Sequence, residues 1–432
     1  MKIRGIAAMG VIVLTAISLT ACSTGSGSDA KTEPTKASGP VSLTFQSLSD
    51  QPGAIAATTA IVDKWNSDNP DIQVKTVAAG WDGVYDKLVA QFSGGVAPDI
   101  IHYEAASIIP FARDGYIADL SDLIDPKLKS DVSDGIWKSV TVDGKIIAVP
   151  TELQSYMVFA NKKLLAHAGV AIPTGETMTW DEFARIAKAT TKGGRYGVTW
   201  GLKSPTATFM SLGLGFGGTY FKGTGKDATI HIGDAEQAVP TKIRDMAYTD
   251  KSIDPVSLTQ SGSDVLATFY AGKAAMTVQG SYQAANIGKG APKGFDWVVL
   301  PPLEGSKGAQ QSANPQTLSV NVDSKHVKEA AKFINYFAST DNLAALNLAD
   351  ALIPASSSAQ EKIASGTGGK DGWDVTLASA EYLTKAPFLS VDAFTPWKDT
   401  VATPAYQKFL AKQIDADQLA KELTDGWDQV NR

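Results

Sequence analysis

The chain has 432 residues, a formal net charge of −6 and a single cysteine, Cys22. One cysteine excludes a disulfide-stapled scaffold, and with no Lys/Arg block the charge argues against a nucleic-acid partner. A body this long exceeds what one core can fill, which predicts two lobes.

Lys2 and Arg4 precede an apolar run over residues 5–21. That run falls short of the ~20 residues a membrane span needs and suits the apolar region of a secretory leader. Leu19-Thr20-Ala21-Cys22 resembles the lipobox of bacterial lipoproteins, in which cleavage leaves a lipid-bearing cysteine as the new N-terminus. The plainer alternative is an ordinary signal peptide with a chance cysteine. Residues 23–40 are rich in Ser, Thr, Gly, Lys and Pro with no apolar period, so they read as a tether that spans about 25 Å as a flexible coil. The expected division is a leader over 1–21 and a lipidated Cys22 with its tether over 22–40. No later run is long enough to span a bilayer.

The folded body opens with a regular rhythm. Val41, Leu43 and Phe45 alternate as a strand, and Ile55, Ile61, Val62 and Trp65 mark a helix face. Ile72 and Val74 begin a second strand. Val84, Leu88, Val89 and Phe92 line a second helix, and PDII (98–101) opens a third strand. Strand and helix alternating at this spacing predict an α/β fold with a parallel sheet. In such sheets ligands bind beyond the carboxyl ends of the strands. Ser47 and Asp50, Trp81 and Asp82, and Tyr103 and Glu104 stand there, followed later by Glu152 and Gln154 and by Tyr282.

Six segments along the mature chain, SGGVAPDIIHYEA (93–105), GKIIAVPTELQSYMVFANKKLLAHAGV (144–170), MTWDEFARIAK (178–188), FYAGKAAMTVQGSY (269–282), WVVLPPLEG (297–305) and VKEAAKFINYFAS (327–339), occur in the order of a known family. Behind a lipobox, the chain resembles the family 1 extracellular solute-binding proteins, the maltose-binding-protein-like receptors of bacterial ABC sugar importers. The resemblance implies a two-lobe periplasmic-binding-protein-like (type II) α/β fold with a ligand cleft between the lobes. It also implies crossings near residues 145–151, 306–314 and 349–354. The expected first lobe is then 41–148 with 312–350, and the second is 149–311 with 351–432.

By the same resemblance the protein is a lipid-anchored monomer on the extracytoplasmic face of the cell membrane. It binds a mono- or oligosaccharide, passes it to ABC permease subunits, and needs no cofactor or metal. Tyr103 matches the position of an aromatic that packs on sugar, with Glu104 beside it. Gln154 matches a ligand-binding acid, Tyr282 stands for the tryptophan of the family's Gly-Ser-Trp, and Trp397 matches a late stacking tryptophan. The expected ligand contacts are Asp50, Trp81, Tyr103, Glu104, Gln154, Tyr282 and Trp397.

Structural roles compete with these. Trp81 can pack on Tyr85 as a helix-start staple, Asp50 and Glu104 can cap the helices that follow, and Tyr103, Tyr282 and Trp397 can be partly buried aromatics. Trp65, Trp137, Trp180 and Trp297 sit in element patterns and read as core. GLGFGG (213–218) formally matches GxGxxG, but it follows a helical segment and leads into a polar loop, contrary to a dinucleotide site. His102, His167, His231 and His326 are dispersed. Rival functions are a receptor for a polyamine, ferric ion or peptide, and a secreted glycoside hydrolase using carboxylates such as Glu104 and Glu152.

Overall fold

The computed structural model describes residues 39–432, so the leader, Cys22 and the tether up to residue 38 lie outside the described residues. No helix among the described residues is long and apolar enough to cross a membrane.

The first elements follow their periodicity. Strand β1 (Val41–Ser47) buries Leu43 and Phe45. Helix α1 (Pro52–Asp68) starts on Pro52, whose missing N–H removes no helical bond in the first turn. It buries Ala54, Thr58, Ile61, Val62 and Trp65, the spacing of one helical face. Trp65 also donates its indole N–H to the Ile72 carbonyl at 2.9 Å, fastening α1 to strand β2 (Ile72–Ala78). Helix α2 (Val84–Ser93) and strand β3 (Ile100–Glu104) follow, and β1 pairs in parallel with both β2 and β3. Ile55 and Val89, expected on buried faces, are exposed. Each lies to one side of the stripe that meets the sheet.

Further along come helix α3 (Ala105–Arg113) and strands β4 (Val149–Leu153) and β5 (Tyr156–Asn161). Helix α4 (Trp180–Thr190) starts where Thr179 Oγ1 accepts the Glu182 N–H at 3.1 Å, an N-cap that satisfies one free amide of the first turn. Strand β6 (Tyr196–Thr199), helix α5 (Thr206–Gly213), strand β7 (Ala274–Gly280), helix α6 (Gln283–Gly290) and strand β8 (Trp297–Leu300) are among the elements of the middle of the chain. Strand β9 (Gln316–Val320), helices α7 (Val327–Phe337) and α8 (Thr340–Asp350), and strand β10 (Ile353–Pro354) come next. Helix α9 (Ser357–Thr367), the short α10 (Phe394–Trp397) and α11 (Ala416–Val430) close it.

The long strands form two sheets. The six-stranded one has the order β10-β4-β9-β3-β1-β2, and the four-stranded one β8-β5-β7-β6. Each sheet has its own core. Phe45, Trp65, Trp137, Phe333 and Phe337 pack on the first, and Trp180, Phe183, Trp200, Phe209 and Trp427 on the second. Trp297 is half-buried beside Phe159, with ring centroids 5.8 Å apart. The segment 213–218 is the end of α5 and a turn, with Gly217 at φ +86°, so it has the structural role expected of it.

The crossings differ from the expected boundaries. β4 belongs to the first sheet, antiparallel to β9, so the chain leaves that lobe at Gln154 and Ser155 rather than at residue 148. β10 also pairs with β4, and α9 adds Ala359 and Ile363 to the first core. The first lobe therefore continues well beyond residue 350. The last crossing runs through the helix Trp373–Ala378, where Leu377 packs on the first core and Val375 on a cluster of the second sheet. Composition does turn polar at Gln154-Ser155, but nothing local says which sheet β4 or the two-residue β10 joins, and only long-range pairing assigns them.

Candidate functional site

Where the parallel strands end, the two lobes enclose a cavity of about 370 Å³. Three polar side chains stand side by side on the first-sheet wall. Gln316, at the start of β9, is in register with Glu104 at the end of β3 and with Glu152 near the end of β4. All three line the cavity.

Gln316 is held from behind. His102, two residues before Glu104 on β3, is buried. Its Nδ1 accepts the Leu48 backbone N–H at 3.1 Å, which leaves the proton on Nε2 to be donated to Gln316 Oε1 at 2.6 Å. Burial lowers the imidazole to about 4, against the opposing pull of the Gln316 bond, so it stays neutral. With Oε1 occupied, the Gln316 amide Nε2 has no protein partner among the described residues, and it is the group left to donate to a ligand.

Glu104 is similarly placed. It accepts from Ser107 Oγ at 3.0 Å and from Asn314 Nδ2 at 2.9 Å, with Lys398 Nζ at 3.9 Å. Asn314 is itself oriented, because its Oδ1 accepts the Ala106 N–H at the start of α3 at 3.0 Å.

Glu152 and Asp350 are different. Both line the cavity, yet Glu152 Oε1 and Asp350 Oδ1 have no hydrogen-bond partner among the described residues. Burial, then the charge of Asp350, pushes Glu152 well above the usual carboxylate range. Burial, then the charge of Asp50, pushes Asp350 up to about 7, with Lys289 opposing.

Aromatic surface completes the cavity. Trp81 lies on the β2–α2 loop, edge-on to His102 with centroids 5.9 Å apart. Tyr156 and Tyr282 enter from the second lobe, with Phe388 and Phe394. Gly280 explains how Tyr282 fits: a Cβ there would come 2.5 Å from the Tyr282 ring, so only glycine lets the ring lie against that backbone.

Of the residues expected from sequence, Asp50, Trp81, Glu104, Gln154 and Tyr282 line the cavity together. Tyr103 does not. It is 5 % exposed and packs beneath Trp81 at 6.3 Å, where burial and then the Glu104 charge raise its pKa. Trp397 is also absent from the lining, being fully buried. Its indole N–H donates to the Leu423 carbonyl at 3.0 Å and its ring packs between Phe221 and Trp427. Its neighbours Phe394 and Lys398 line the cavity instead. Successive residues of a helix point about 100° apart, so Lys398 faces the cavity while Trp397 enters the core. Sequence reasoning missed Gln316, Asn314, Asp350 and Tyr156, although the polar run Asn314-Pro315-Gln316 before an apolar strand was a usable signal. Among the described residues no group of three or more His, Cys, Asp or Glu could hold a metal ion.

Two α/β lobes around a polar, aromatic-edged cavity have the architecture of a bilobed solute-binding protein. The chain belongs to the bacterial extracellular solute-binding proteins, whose family model matches residues 49–344. It is 37% identical over 412 residues to an uncharacterized lipoprotein in the oleD 5′ region of Streptomyces antibioticus, covering 95% of this chain and 88% of that protein. The maltodextrin-binding protein MdxE of Bacillus subtilis is 26% identical over 311 residues, 70% of this chain and 71% of that one. Among solved structures, the GacH receptor of Streptomyces glaucescens, studied unliganded and with acarbose, superimposes with a TM-score of 0.76 at 21% identity, over 90% of this chain and 98% of that one. The substrate-binding protein Lmo0181 of Listeria monocytogenes, in complex with cycloalternan, gives 0.75 at 22%, over 91% and 98%. These two likenesses show the fold.

Proposed function

We propose that the protein is the extracytoplasmic receptor of an ABC sugar importer. It binds a mono- or oligosaccharide in the interlobe cavity and delivers it unchanged to the permease. Lipid on Cys22 holds it, as a monomer, to the outer face of the membrane. The observation that supports this best is the combination of aromatic faces (Trp81, Tyr156 and Tyr282) with amides fixed by the protein itself (Gln316 and Asn314). A pyranose offers an apolar C–H face for a ring to cover and a rim of hydroxyls that need donors and acceptors. The names and ligands of the relatives MdxE, GacH and Lmo0181 point to carbohydrate as well. The name of the Streptomyces antibioticus relative supports the lipid anchor.

A thermal-shift panel of mono- and oligosaccharides tests the ligand class, because a ligand that binds only the folded state raises its melting temperature. A shift that saturates with one sugar and leaves that sugar intact is expected. Silence across the panel, or steady formation of shorter sugars, would reject the reading. Cys22→Ser should release the protein from the membrane or leave it unprocessed.

A further inference from the structure

The cavity is acidic. Its lining carries four carboxyls (Asp50, Glu104, Glu152 and Asp350) against one ammonium, Lys398. Lys398 is already drawn toward Glu104 at 3.9 Å and Asp399 at 3.6 Å. Glu104 has its bonds from Ser107 and Asn314. Glu152 and Asp350 are only 2 % and 7 % exposed, and each has a carboxyl oxygen without any partner among the described residues. Buried carboxyls in that condition are costly and call for both a hydrogen-bond donor and a counter-charge. A hydroxyl supplies the first and an ammonium supplies both, with three N–H donors to divide among neighbouring oxygens.

We propose that the ligand carries a basic amine: an amino sugar or aminated glycoside whose ammonium sits against Glu152 and Asp350. This rests on the reading of the cavity as a carbohydrate site. An inorganic cation does not fit as well, since no cluster of three or more ligating residues among those described could hold a metal ion. The charged or titratable groups that act on Asp350 and its surroundings are Glu152, Asp50, Tyr282 and Lys289. Burial and the Asp50 charge outweigh Lys289 and push Asp350 up to about 7. An incoming ammonium reverses that push, so while the sugar's own amine is still fully protonated binding releases protons and tightens as pH rises from 5.5 to 6.5.

The test uses matched sugars that differ only in an amine for a hydroxyl: glucosamine and glucose, galactosamine and galactose, and the β-1,4-linked glucosamine disaccharide and cellobiose, with spermidine as a non-sugar amine. Binding is followed by thermal shift and calorimetry on the mature chain. The aminated member of a pair is expected to bind about tenfold more tightly at pH 7.5, as a charge-assisted hydrogen bond allows. At pH 6, where the amine is already charged, binding should release protons, and the advantage should shrink in Asp350→Asn and in Glu152→Gln. Equal or tighter binding of the neutral member overturns the amine while leaving the sugar receptor standing. Binding of spermidine but of no sugar, or of nothing in the panel, overturns both. An amine preference that persists undiminished in both variants places the ammonium elsewhere and overturns the assignment to Glu152 and Asp350.

Discussion

His102 and Gln316 form a buried pair across β3 and β9, with His102 Nε2 donating to Gln316 Oε1 at 2.6 Å while Leu48 N–H holds the other face of the imidazole. The imidazole does not line the cavity; it sets which end of the Gln316 amide faces it. His102→Phe keeps an aromatic ring but removes both bonds, and affinity for the ligand should fall about tenfold, the worth of one hydrogen bond held in place. The role is one of positioning, so Gln316→Ala should cost much less in the His102→Phe background than in the wild type. Additive losses in that cycle, measured by calorimetry, would separate the two residues.

Asp350 should make the empty protein less stable as pH rises. Its folded pKa is raised to about 7 from an ordinary 3.8. The unfolded chain therefore gives up its proton first, and the benefit present below pH 4 is lost as pH climbs through 7. Asp350→Asn removes this dependence and should stabilise the ligand-free protein at pH 8 by on the order of 2 kcal/mol. His102 acts in the opposite sense. Its folded pKa of about 4 lies below an ordinary 6.5, so its contribution is present above 6.5 and declines as pH falls toward 4. Denaturant unfolding of the wild type and Asp350→Asn at pH 5 and pH 8 reads the difference. An identical pH response in the two proteins would contradict the acid-pair account.

Trp81 and Trp397 should separate binding from stability. Trp397 is a core side chain bonded to Leu423 and packed on Phe221, so Trp397→Ala should cost about 3–5 kcal/mol of stability. Trp81 lines the cavity, and Trp81→Ala should weaken binding by about 1–3 kcal/mol with a smaller effect on unfolding. Urea midpoints and dissociation constants of the two variants give the comparison. A folded Trp81→Ala with unchanged affinity would remove that ring from the site.

The legible part of the molecule is the part governed by local period. β1, α1, β2, α2 and β3 could be read from their apolar spacing, and the rule that ligands bind beyond strand ends found Asp50, Trp81 and Glu104. The same rule overlooked Gln316 and Tyr156 for a geometrical reason. β9 is antiparallel to its neighbours and reaches the cavity by its first residue, and β5 likewise begins there. Asp350 stands at the end of α8, outside any strand rule. Trp397 misled because a tryptophan has two ways to satisfy its N–H, a wet cleft or a buried carbonyl. Sequence does not say that Leu423 will supply the carbonyl.

The last prediction concerns opening and closing. The cavity is lined from both lobes, so a ligand that fills it would gain most when the lobes are closed and would shift the population that way. A specific link joins the lobes near the cavity. Arg113, at the end of α3, pairs with Asp392 and donates to the Ser390 carbonyl at 3.2 Å, while Ser107 and Thr395 share a hydrogen bond at 3.2 Å. These bonds tie α3 to the segment that carries Phe394 and Lys398 and would favour closure independently of any ligand. Arg113→Ala should therefore let the empty protein open further, raising its radius of gyration in solution scattering. The ligand-saturated form should keep the wild-type value, and affinity should drop by the fraction of closed protein lost. If the empty variant scatters like the empty wild type, the Arg113–Asp392 pair does not govern the hinge, and the energy of closure must come from the ligand contacts themselves.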